Sequence, residues 1–237
     1  VYIGSTPIVL SMSAYARTGK VISMSIIALT GAFALVLQFY LMVTIPNAEH
    51  SLPFRIVNFF SFFTILSNIL VAKSLAILLI MPSSFWGRFF GKPAVQTAIA
   101  VYIAIVGITY SLVLRALWHP QGWQLVVDML LHDVIPVLYI VFWLVFVPKG
   151  SLNWKHPLWW LLFTLVYLIY TLVRGAVTNW YPYPFIDAGA LGYKRIAVNV
   201  FGLCFAFLIM GFVLIVIDKM MGKRKQLLDH NDRNDIS

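Results

Sequence analysis

Two polar centres interrupt long apolar runs in this chain. Ser61, Thr64, Ser67 and Asn68 break one run, and Asp128, His132 and Asp133 break another. A hydroxyl beside a neutral imidazole attacks an acyl carbon once the imidazole removes its proton. Thr64 is therefore read as a nucleophile and His132 as its general base. Asn68 lies one helical turn from Thr64 on the same face. It is expected to donate a hydrogen bond to the developing oxyanion, and Ser67 beside it is a supporting or substrate-binding candidate. Asp128, one turn before His132, is placed to orient the imidazole, and Asp133 points about 100° away around the helix. Either carboxylate could stabilise the imidazolium, and the sequence leaves open which, if either, partners His132. Arg115, Arg174 and Asn199 fall near the ends of other apolar runs and complete the set of supporting or substrate-binding candidates. Either arginine suits the carboxylate of a fatty acid.

Each residue also has a structural use. Hydroxyls in apolar helices bond the carbonyl one turn back, Asn joins helices, His and Asp form buried pairs, and arginines anchor at the interface. From residue types alone, a hydrolase, a transporter of amphiphiles and a lipid-binding scaffold stay open. A proton-linked channel on His132, Asp128 and Asp133 would need ionisable groups reaching the opposite side, and Lys73 is the one candidate in that half.

The elements that must position these groups are helices in a membrane. Hydrophobic residues make up 61% of the 237 and charged residues 11%, against about 25% charged in a soluble domain. A membrane-crossing helix takes roughly 20 apolar residues, and six fit with short connections. The pattern predicts helices over Val21–Ile45, Ile56–Met81, Val95–Leu117, Trp123–Val147, Leu158–Val173 and Arg195–Ile217. Prolines punctuate them at Pro46, Pro82 and Pro148. At 1.5 Å per residue, Thr64 lies roughly 12 Å below Ile56 and His132 roughly 12 Å below Gln124. Both helices run the same way, so the two centres share a level. The fold class is all-α, a polytopic membrane protein. Residues 1–20 form an N-terminal segment suited to the interface, 21–217 the six-helix domain, and 218–237 a polar, solvated tail. The segment from Arg174 to Lys194 reads as the longest loop and as a cap over the site.

Lysine and arginine set the orientation. Eleven fall on the side that holds both termini and four on the other, which places both termini in the cytoplasm. The net charge of +9 is spread over these flanks, as contact with anionic lipid requires, and argues against nucleic acid. The apolar run after Lys20 is too long for a signal peptide and reads as a retained helix. The lone Cys204 excludes an intrachain disulfide, and no metal-ligand spacing occurs. No metal or organic cofactor is expected. The partners are membrane lipids and an acyl-ester or fatty-acid ligand.

Three motifs in order add a resemblance. Phe63-Thr64-Ile65-Leu66-Ser67-Asn68, Leu131-His132-Asp133-Val134-Ile135-Pro136 and Trp180-Tyr181-Pro182-Tyr183-Pro184-Phe185 resemble the family of the androgen-induced protein and the androgen-dependent TFPI-regulating protein, in its bacterial branch. The resemblance covers roughly residues 20–220. It implies a multi-pass threonine hydrolase in a bacterial cytoplasmic membrane, with Thr64 and His132 as the catalytic pair. The implied substrates are fatty acid esters of hydroxy fatty acids or similar acyl esters. Ser67-Asn68 and Asp133 depart from the animal pattern, which bears on the substrate more than on the pair.

Overall fold

Helix starts and stops follow local chemistry. The computed structural model describes residues 7–44 and 51–234 and is helical almost throughout. The helices are α1 Pro7–Thr44, α2 Leu52–Phe59, α3 Phe63–Ile80, α4 Phe85–Phe90, α5 Pro93–Thr109, α6 Gly122–Met129, α7 Ile135–Phe146, α8 His156–Thr178 and α9 Ala188–Asn234. Proline occupies the first or second position of α2, α5 and α8, where its missing N–H costs no helical bond. α8 stops at Asn179, whose left-handed φ of 53° closes a helix C-terminus.

Six stretches are long and apolar enough to cross a membrane: Tyr15–Thr44, Phe63–Ile80, Pro93–Leu114, Gly122–Phe146, His156–Thr178 and Ala188–Arg224. The protein is thus an all-helical, multi-pass integral membrane protein. The third stretch is the most enclosed, with 61% of its apolar window buried against 22% of the first, and it forms the axis of the bundle. One end of the bundle carries the 179–187 connection, here the loop end. The other carries the C-terminal tail, here the tail end.

Several boundaries differ from the sequence reading. The N-terminal segment continues α1 from Pro7 instead of forming a separate element, while residues 1–6 and the expected stop at Pro46 lie outside the described residues. The polar tail is helical in its described part: α9 continues to Asn234. The long loop shrinks because α8 runs on to Thr178 and α9 begins at Ala188, with a break at Gly192 (φ 74°, ψ 154°). The remaining connection holds a 3-10 turn, Pro184–Ile186.

Two deviations bear on the polar centres. The second expected helix is broken between α2 and α3, where Phe62 turns extended (φ −84°, ψ 127°). Phe62 packs edge-on against Trp180 and Tyr183 of the connection, so tertiary contacts hold the break. π-helical turns also interrupt the third and fourth spans, at Tyr110–Leu114 and Leu130–Val134. Pro136 follows the second and supplies no N–H to the His132 carbonyl, and its ring would crowd that carbonyl in a regular helix. Widening the preceding turn relieves the clash. Gly107 on α5 lets the bulge approach, because a Cβ there would stand 3.1 Å from the His132 carbonyl oxygen and 3.2 Å from the Pro136 ring.

Candidate active site

The break above α3 sets the backbone of the first centre. Thr64 lies in the first turn of α3, where N–H groups have no helical acceptor. Its amide donates instead to the Tyr183 hydroxyl at 3.2 Å. The same hydroxyl stands 3.3 Å from Thr64 Oγ1. Tyr183 belongs to the 179–187 connection, where the expected interfacial aromatics turn inward and bury it. Burial, the largest influence, holds its phenol above the ordinary value, so it stays protonated and able to donate.

The π turn in the fourth span sets the second centre. His132 Nε2 lies 3.4 Å from Thr64 Oγ1. Its Nδ1 lies 2.9 Å from the Asp128 backbone carbonyl and 3.3 Å from the Asp128 carboxylate. A carbonyl oxygen only accepts, so Nδ1 carries the proton. In the neutral ring Nε2 then presents its lone pair to Thr64, as a general base requires. The Tyr110 ring stacks on the imidazole, centroids 4.1 Å apart and planes 16° apart, and the Tyr110 hydroxyl donates to the other Asp128 oxygen. Asp128 is buried, so these bonds offset much of the cost of placing a carboxylate there.

Thr64 and His132, expected as a pair from depth alone, meet. Of the two carboxylates the sequence left open, Asp128 is the one beside His132, through its main chain as well as its carboxylate. Asp133 turns to another neighbour, forming an ion pair with Arg115, just past the end of the third span. Arg115 also lies 5.0 Å from the Tyr110 ring centre. It braces the stack from outside, and the carboxylate-binding role expected of it is taken up by Asp133.

Four candidates stand elsewhere. The Asn68 amide nitrogen donates to the carbonyls of Thr64 at 2.9 Å and Leu131 at 3.2 Å. Both its hydrogens are committed, so it ties α3 to the π turn and has none left for an oxyanion. Ser67 is fully buried and does not line the cavity described below. Arg174 donates to Asn58 and stacks on Trp180, 4.7 Å from the ring centre. It pins the connection to α2. Asn199 donates to the Phe185 carbonyl at 2.7 Å, fixing the far end of the same connection. Tyr183 and Tyr110 were missed. Tyr183 had a partial signal, since a residue before proline is restricted to extended backbone, which Tyr183 adopts (φ −137°, ψ 140°).

Thr64 and His132 both face a cavity of about 970 Å³. Its walls also include Asn58, Gln38, Gln124 and Trp118, and all its lining residues come from the loop end of the bundle. It does not extend toward the tail end. Among the described residues, no three His, Cys, Asp or Glu side chains converge as a metal would need.

Comparison with known protein families, with curated proteins and with solved structures finds no match. The chemistry of the site therefore rests on its own geometry.

Proposed function

We propose that this protein is an intramembrane hydrolase of lipid esters with Thr64 as nucleophile and His132 as general base. The observation that carries the proposal is the Thr64 Oγ1–His132 Nε2 contact in a tautomer that leaves Nε2 free to accept. His132 takes the Thr64 proton as Oγ1 bonds to the ester carbonyl carbon. The carbon–alcohol oxygen bond then breaks, and the proton on Nε2 passes to the departing alkoxide. Water enters, gives a proton to Nε2 and attacks the acyl-threonine. The fatty acid leaves and Thr64 Oγ1 regains its proton.

The oxyanion needs donors aimed where the charge develops. Tyr183 O–H and the Thr64 N–H supply two, at the start of α3 where the helix dipole is positive. In the resting site they bond to each other, and an entering carbonyl oxygen takes both. The imidazolium formed during attack is stabilised by Asp128.

The three motifs that carry the resemblance contain Thr64, His132 and Tyr183 in order. Fatty acid esters of hydroxy fatty acids or similar acyl esters are the substrates that resemblance implies, and the departures at Ser67-Asn68 and Asp133 leave the ester class broader. A transporter would use the same polar cavity, but the confinement of that cavity to one end of the bundle favours turnover over passage.

The test is ester hydrolysis by purified protein in lipid nanodiscs, with covalent labelling by a fluorophosphonate probe. Wild type is expected to release fatty acid and to be labelled at Thr64. Thr64→Ala and His132→Ala are expected to insert normally and release none. Wild-type rates in either variant would remove the proposal.

A further inference from the structure

Thr64 borders two spaces. One is the large cavity it shares with His132. The other is a side chamber of about 50 Å³, with Phe63, Ile105, Val106, Leu168, Leu203 and Phe207 among its walls. Thr64 and Tyr183 line both spaces. His132 and Asp128 line only the large one.

That asymmetry orients an ester. The base must return its proton to the leaving alcohol oxygen and later draw one from water. Both events happen on the face His132 occupies, so the alcohol part and the water belong in the large cavity. The acyl chain, which exchanges no proton, is directed to the space that His132 does not line. There the walls are mostly apolar, with Thr109, Thr164 and Tyr167 as exceptions, as a hydrocarbon chain requires. We propose that the side chamber is the acyl pocket and the large cavity the alcohol pocket of a two-part ester substrate. The proposal rests on the hydrolase reading.

Sizes agree with this division. A cavity of about 150 Å³ holds the six carbons of a benzene ring, so the side chamber takes about the first two carbons of the acyl chain. The large cavity takes a bulky lipid alcohol and carries polar groups, Asn58, Gln38 and Gln124, for its oxygens. One methylene in an apolar pocket changes kcat/KM by about tenfold or more, so filling the chamber separates acetyl from longer acyl groups sharply.

The experiment uses the full chain in nanodiscs and two ester series read by mass spectrometry. One varies the acyl group from acetate to hexanoate on hexadecanol. The other varies the alcohol from methanol to hexadecanol on hexanoate. Leu203→Phe and, as a second filling variant, Ile105→Phe are expected to lower the hexanoate-to-acetate ratio of kcat/KM at least tenfold while sparing the alcohol series. Met42→Trp, in the wall of the large cavity, is expected to lower the hexadecyl-to-methyl ratio and spare the acyl series. Each ratio is internal to one variant, so loss of folded protein cannot mimic it. If the two effects are exchanged, or if neither ratio moves in an active enzyme, the pocket assignment is overturned with the hydrolase reading intact. If wild type cleaves no member of either series, the hydrolase reading itself fails.

Discussion

The two ends of the bundle solve the burial of polar groups in opposite ways. At the tail end, several polar atoms are paired between neighbouring helices, although Gln96 Oε1 stays buried without a partner. Trp143 Nε1 donates to Thr97 Oγ1 at 2.8 Å, the Tyr102 hydroxyl to the Trp160 carbonyl at 2.7 Å, and Tyr139, Phe142 and Trp143 are fully buried. Gly150 and Gly222 bring two backbones together, and the Asp218 carboxylate accepts from the Leu152 amide at 3.1 Å. At the loop end, helices are broken or widened and a cavity remains. Thr64 and His132 keep bonds that are long and exchangeable. The difference teaches where rigidity is used: the tail end fixes the spans, and the loop end holds reactive groups on distorted turns. π turns recur at functional positions, and here two lie side by side at one level.

Substitutions can break or sharpen this contrast. The largest effect is expected from Thr64→Ala and His132→Ala, each lowering ester turnover by about a thousandfold or more with an unchanged thermal midpoint; retained activity would erase the distinction between the ends. Tyr183→Phe removes one oxyanion donor and is expected to lower kcat by about a hundredfold with little change in KM, measured by steady-state kinetics. Tyr110→Phe frees the Asp128 carboxylate and loosens the imidazole, with an expected loss of roughly tenfold. The smallest catalytic effect belongs to the tail end. Trp143→Phe loses the bond to Thr97 and some packing, about 1–2 kcal/mol of stability, seen as a lower unfolding midpoint with kcat unchanged. Equal losses of activity from Trp143→Phe and Tyr110→Phe would show that the two ends are not separable.

Much of this was legible in the sequence for a physical reason. Lipid forces backbone groups to be satisfied within each span, so apolar length alone yields six helices, and polar residues within them stand out. Equal depth on two parallel spans then paired Thr64 with His132. What escaped depended on contacts between distant segments. Phe60-Ser61-Phe62 has no helix-breaking residue, and its break is held by Trp180 and Tyr183. Asn68 looked like an oxyanion donor because spacing gives a face but not the partner, and the nearby Leu131 carbonyl claimed it. Arg115 and Asp133 each had a plausible partner in the pocket, yet a guanidinium and a carboxylate on adjacent spans satisfy one another first. The π turns were half-visible: Pro136, four residues after His132, forbids a regular bond there, but the sequence does not say whether the helix kinks, ends or widens.

The break above α3 has a consequence for biogenesis. The amide of Thr64 finds its partner in Tyr183, 119 residues further along the chain. At about 5–20 residues per second, a ribosome takes roughly 6–24 s to cover that distance. Throughout that interval the nascent second span holds its hydroxyl without the phenol beside it, and the translocon must shelter an uncapped helix start. The corner that holds Thr64 is thus assembled near the end of synthesis, after five of the six spans have been made.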